Sequence, residues 1–330
     1  MIKINKNKLN NDEKIYEECY INQFGLCQRS SVSINIISDC RSYDMMERAQ
    51  FANKNGLLSK KIEEIFAELF WEFHNLNGLI LNLELIRKVF NEPSKIFSDV
   101  SEQIVKDNLF IEILMKFCKI AEDLGAILYS KSEDPYEFTK EYITYTIRNV
   151  VDFYSKITDN KAKIEELFYY PPIDKQDNDK AKNIIHFSLI ELKGDLRIIA
   201  ETYVKYKEIY NSYKHGYRVR FKEVDQYIWI RDDIKYYPKV ILYYEKRMIK
   251  KFPGAMSMMG FEKFDDSNFN AVYELCISAL QIIKLFIHNY KQFHKEGNEK
   301  SIALFFDPTF TTDDYIQDLK NELKEYTFKY

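Results

Sequence analysis

Turn-forming residues are scarce in this chain. Only 9 glycines and 7 prolines occur in 330 residues, which argues against a turn-dense β-sandwich and against glycine-rich phosphate loops. No GxxxxGK[ST], GxGxxG, HExxH or GxSxG motif is present, so the common nucleotide, zinc-protease and serine-hydrolase signatures are missing. The 5 cysteines (Cys19, Cys27, Cys40, Cys118 and Cys276) are odd in number and form no CxxC pair. They imply neither a disulfide framework nor a zinc knuckle, and a reducing cytoplasm suits them. No run of 18 apolar residues exists, so no membrane span is expected. The segment from Met1 to Asn11 is polar and lacks the apolar core of a signal peptide. A formal net charge of -3 gives no global attraction to nucleic acid or to anionic membrane. Neither a cofactor nor a metal is expected.

What the chain does have is burial capacity. Hydrophobic residues make up 46% and aromatics 15%, with 25 tyrosines and 24 phenylalanines, too much for a disordered chain. These residues fall on helical stripes. The longest runs through Ile185, Leu189, Leu192, Leu196, Ile199, Tyr203, Tyr206, Tyr210 and Tyr213, in alternating steps of four and three. It belongs to a helix over 180–218, with Gly216 placed for a left-handed C-terminal cap.

Taken in order, residues 1–57 read as a partly irregular N-terminal segment, with a short strand over Ser31–Ile37. Residues 58–330 read as a helical bundle. Its first stripe runs from Leu58 to Phe90, until Asn91-Glu92-Pro93 stops it. A second helix spans about Ser101 to Ser130, where Ala121 and Gly125 permit a close neighbour. A third follows Asp134-Pro135, with Ile143, Ile147, Val150, Tyr154 and Ile157 in register. The polar break over 170–180 is the best subdomain boundary. After Gly216, alternation through Val219, Phe221, Tyr227 and Trp229, and the run Val240–Tyr244, predict strands or an ordered excursion. Pro253–Gly260 reads as a Met-rich loop, Ser267–His294 as a helix, Ser301–Phe306 as a strand and Asp313–Tyr326 as a terminal helix. The fold class is therefore all-α or mainly α, a bundle of about five long helices with core segments at 180–218 and 267–294.

Two windows carry local positive charge. Lys205, Lys207, Lys214, Arg218, Arg220 and Lys222 face only Glu208, and residues 235–251 repeat the excess. Tyrosines interleave with both, the arrangement of a single-stranded RNA track in which cations meet phosphates and rings stack on bases. The same tyrosines also fit a buried core seam beneath a solvated lysine face, and both readings stand.

At the end of the long helix, Asn211 and His215 are four apart and lie on the face opposite the apolar stripe. A histidine so placed can serve as general acid or base on a ribose 2'-hydroxyl, with Lys214 or Arg218 holding phosphate. Lys-His-Gly is equally a good helix C-terminus.

The motif Asn211-x-x-x-His215, with Lys214 before the histidine and Gly216 after it, resembles that of HEPN (higher eukaryotes and prokaryotes nucleotide-binding) domains. The resemblance covers residues 180–218 and the general bundle. It implies a commonly homodimeric helical protein of the kind found in toxin–antitoxin and antiviral defence systems, whose active members cleave RNA without metal. His215 would then act as catalytic acid or base and Asn211 would orient it, with Lys214, Arg218 and Arg220 as phosphate contacts. Tyr210 departs from the pattern, because the family places arginine there. The departure favours the alternative: a non-catalytic helical module that binds RNA, nucleotide or protein.

Overall fold

The computed structural model describes residues 2–3, 19–21, 27–29, 75–133, 142, 144–216, 219–223, 227–230, 233–236, 239–245, 250–252, 256–261, 265–294 and 302–306. Within them the chain is mainly α-helical. The expected strand at Ser31–Ile37, the stripe before Leu76 and the helix over Asp313–Tyr326 lie outside the described residues.

Three short strands near the N-terminus, β1 (Ile2–Lys3), β2 (Cys19–Ile21) and β3 (Cys27–Arg29), pair antiparallel in sequence order. Helix α1 (Leu76–Asn91) opens at Asn75, whose side chain accepts the Gly78 N–H, and buries Leu83 and Phe90. Pro93 then starts the short α2 (Pro93–Ile96), at the first-turn position that proline suits. Helix α3 (Glu102–Glu133) is the centre of the bundle, and Leu114, Cys118, Ala121, Gly125 and Leu128 of its predicted stripe are all buried.

The helix start expected at Asp134-Pro135 lies outside the described residues, and the Ile147, Val150, Tyr154 and Ile157 part of the stripe is carried by helix α4 (Ile147–Thr158). A reciprocal capping box fixes its first residue, with Thr146 and Asn149 each bonding the other's backbone N–H. It packs where α3 carries its small residues: a Cβ on Gly125 would lie 2.6 Å from Val150 Cγ1 and 2.9 Å from the Tyr154 ring. The Tyr154 hydroxyl donates to the carbonyl of Ala121. Close approach there was expected from the sequence, and it places a fully buried tyrosine against the middle of α3.

After α5 (Ile164–Leu167) and a 3-10 turn at Ile173–Lys175, α6 (Asp179–Lys214) begins at Asn178, which caps the N–H groups of Lys180 and Ala181. Helix α7 (Asp266–His294) makes the most extensive packing with α3. The Phe90 and Phe269 rings stack between α1 and α7 at 3.7 Å. Burying a phenylalanine of this kind contributes about 1.5–3 kcal/mol. Asp265 accepts the Ser267 N–H at the start of α7, and Asp266 pairs with Lys106. These carboxylates thus serve the helix N-terminus. Among the described residues α7 alone is long and apolar enough to cross a membrane, and half of its most apolar window is buried inside the protein.

The excursion between α6 and α7 is stranded, as the alternation predicts. Strand β4 (Arg220–Glu223) pairs with β7 (Lys239–Tyr243), and β5 (Tyr227–Ile230) forms a hairpin with β6 (Asp233–Tyr236). The Met-rich stretch departs from its reading as a loop. Its Ser257–Phe261 portion is strand β8, antiparallel to β7 with Met258 opposite Leu242 and Met259 opposite Ile241. The β-branched residues of β7 supply the ladder that methionine and glycine would not favour by themselves. Phe221 and Phe261 of this sheet pack on Phe110 of α3. The expected strand over Ser301–Phe306 is also corrected, because residues 302–306 join no ladder. Side chains take its polar backbone groups instead. Buried Asn289 bonds both the N–H and the C=O of Ala303, and the Tyr170 hydroxyl accepts the Phe305 N–H.

Candidate functional site at the end of the longest helix

Helix α6 carries its apolar seam into the core for most of its length. Ile185, Leu189, Leu192, Leu196, Ile199, Tyr203, Tyr206 and Tyr210 are all buried. The seam ends at Tyr213, which is 45% exposed and sends its hydroxyl to Glu112 at 3.4 Å. Of the four tyrosines in this stretch, only Tyr213 is exposed. Tyr203, Tyr206 and Tyr210 are core residues.

The helix closes as its C-terminal residues dictate. The His215 N–H bonds the Asn211 carbonyl at 3.1 Å, and the Gly216 N–H bonds that of Tyr213. Gly216 has a φ of 74°, the left-handed conformation in which glycine meets no steric cost. His215 is thus the C-cap residue, and it is exposed. Asn211 is half-buried. The two are linked through the backbone, and among the described residues neither side chain makes a hydrogen bond. Arg218 lies outside the described residues.

Lys214 is placed differently from its neighbours. Its ammonium donates to both carboxylate oxygens of Glu122 on α3, at 2.8 and 3.2 Å. It also lies 4.9 Å from the centroid of the Tyr210 ring, close enough for a cation–π contact. Its side chain is 34% exposed, against 7% for Glu122. A carboxylate buried this deeply needs donors to replace lost water. Glu122 finds two more, the Tyr145 hydroxyl at 3.2 Å on one oxygen and the Tyr203 hydroxyl at 3.2 Å on the other. Its charge in turn adds to the burial that pushes both phenols up from their ordinary range.

Next to Glu122 stands Asp123, which is half-buried. Burial pushes its carboxyl up to about 6, the nearby Lys119 opposes that rise, and the Glu122 charge adds to it. The end of α6 is therefore tied to the middle of α3 by one part-buried ion pair whose carboxylate has two further phenolic donors. Neither Glu122 nor Asp123 was singled out from the sequence. The available signal was two adjacent carboxylates inside the otherwise apolar run Ile120–Leu128.

Other cations gather at the same end. The Ser212 hydroxyl accepts the Tyr244 N–H, which seats the end of β7 beside α6. Arg220, opposite Leu242 in the ladder, is thereby brought close and is exposed, as is Lys222. Lys116 pairs loosely with Glu112 at 3.7 Å, and Lys119 is exposed one turn along α3. Of the second basic window, Lys239 and Tyr243 do not join this face. Lys239 is tied to Asp107 at 2.7 Å with both side chains largely buried, and Tyr243 is a core residue. Among the described residues no three His, Cys, Asp or Glu side chains converge as metal ligands would.

Compared with protein-family models, with curated proteins and with solved structures, the chain finds no match in any of the three.

Proposed function

We propose that this chain is a HEPN-like helical module that binds single-stranded RNA at the C-terminal end of α6 without cleaving it. One observation carries the reading. At the position where the HEPN motif has arginine, Tyr210 is a core residue whose ring lies under Lys214, while His215 caps the helix in open solvent. General acid–base cleavage needs a histidine held within hydrogen-bond reach of partner groups, and among the described residues no such partner stands beside His215. Phosphate contact needs only exposed cations, and Lys119 of α3 and Arg220 and Lys222 of β4 are exposed, as is Tyr213 at the end of α6.

The second reading is a metal-independent ribonuclease whose site assembles across a homodimer. It is favoured by Asn211 and His215 making no side-chain hydrogen bond within the described residues, which leaves them open to a second chain. Incubating mixed single-stranded and structured RNAs with purified protein in EDTA separates the two. We expect intact RNA with both wild type and His215→Ala. Fragments that appear with wild type and vanish with His215→Ala establish the ribonuclease instead.

A further inference from the structure

We infer that Glu122 masks Lys214, holding its ammonium away from the phosphates of a nucleic acid bound at the end of α6. The inference rests on the RNA-binding reading for its functional consequence, and on the ion pair alone for its physical basis. Lys214 sits between exposed His215 and half-exposed Tyr213, where an unpaired ammonium would reach solvent and any polyanion there. It turns inward because Glu122 lies buried one helix away and presents both oxygens at 2.8 and 3.2 Å. Tyr145 and Tyr203 orient the carboxylate from the two other sides. The Tyr210 ring adds a second hold at 4.9 Å. A carboxylate so buried keeps its cation against a solvated phosphate, since losing it would leave a charge in the core without its counter-ion. The binding face is therefore one cation weaker than the sequence suggests, and Glu122 sets that charge from outside the motif.

The test uses the full chain in four forms: wild type, Glu122→Gln, Lys214→Gln and the double variant. Two readouts are taken, the rate at which an amine-reactive reagent labels Lys214 and the affinity for a fluorescent single-stranded oligonucleotide across a salt series. Glutamine at 122 keeps polar partners for the tyrosines and removes the charge that holds Lys214. Labelling of Lys214 should be slow in wild type and several-fold faster in Glu122→Gln. Glu122→Gln should bind RNA about fivefold more tightly near 0.1 M salt, with a salt slope steeper by about 0.7, the share of one phosphate contact on a single strand. Lys214→Gln should match wild type, and the double variant should match Lys214→Gln. Equal labelling in wild type and Glu122→Gln overturns the inference, as does a Lys214→Gln loss of affinity equally large in both backgrounds. The Lys214→Gln comparison in the unaltered background still decides the matter if Glu122→Gln folds poorly. Faster labelling in Glu122→Gln with no RNA bound by any form upholds the mask and overturns the RNA reading.

Discussion

Tyr210 and Lys214 stand one turn apart at the end of α6, with the ammonium 4.9 Å from the ring centroid. The ring is buried, and the ammonium that lies against it is paired with Glu122 of α3. The pair thus makes this helix end a joint between α6 and α3.

That joint has measurable strength. Tyr203→Phe and Tyr145→Phe each remove one hydroxyl donor from a buried carboxylate. Each should lower stability by about 1.5–3 kcal/mol, the range for hydrogen bonds to charged groups, with the fully buried Tyr203 the costlier. Urea denaturation of the two variants checks this. Wild-type stability in Tyr203→Phe would mean that the hydroxyl does not serve Glu122.

Two glycines on different helices should respond to alanine with opposite signs. At Gly194 an added Cβ meets nothing within 4 Å, so alanine should stabilise by about 0.5–1 kcal/mol through backbone entropy. At Gly125 the same Cβ would lie 2.6 Å from Val150 and 2.9 Å from Tyr154. Overpacking of this kind costs about 1–3 kcal/mol and should outweigh the helix preference for alanine. Denaturation midpoints that shift in the same direction would contradict the packing of α4 on α3.

Stability should also depend on pH through Asp123. Burial raises its folded carboxyl to about 6 from the ordinary 3.8, so the folded state holds the proton more tightly than the unfolded state does. The group's favourable contribution is fully present below about 4 and is lost as pH rises through about 6. Asp123→Asn should therefore gain stability over wild type at pH 7.5, and the gain should shrink as pH falls from 7 toward 4. Chemical denaturation at several pH values measures it. A difference independent of pH would remove Asp123 from the account.

Surface cations at the α6 end should behave as additive phosphate contacts. Arg220→Gln and Lys222→Gln should each weaken single-stranded RNA binding without changing the fold, reducing the salt slope by about 0.7 apiece. His215→Ala should leave stability within about 0.5 kcal/mol of wild type, as for other exposed positions. Affinity titrations across salt, beside thermal melts of the same variants, check both statements.

Much of this architecture was legible in periodicity. The four-and-three spacing from Ile185 to Tyr213 predicts a buried seam, and every one of those side chains except Tyr213 is buried. Gly216 reads as a left-handed cap and takes a φ of 74°. Ala121 and Gly125 read as a close-approach face and receive Tyr154. What stayed hidden depends on partners distant in sequence. Met258 and Met259 have little strand preference of their own, and β7 imposes it on them. The separation between Glu122 and Lys214 is 92 residues, so no local pattern could reveal that Lys214 already has a counter-ion.

The most direct test of the central claim is binding of fluorescent single-stranded RNA to the full chain in EDTA, measured by anisotropy from 50 to 300 mM salt, with the same samples run on a denaturing gel. The account predicts saturable binding that weakens with salt, and RNA that stays full length. Binding absent at 50 mM salt, or RNA cut in a manner that His215→Ala abolishes, would contradict it.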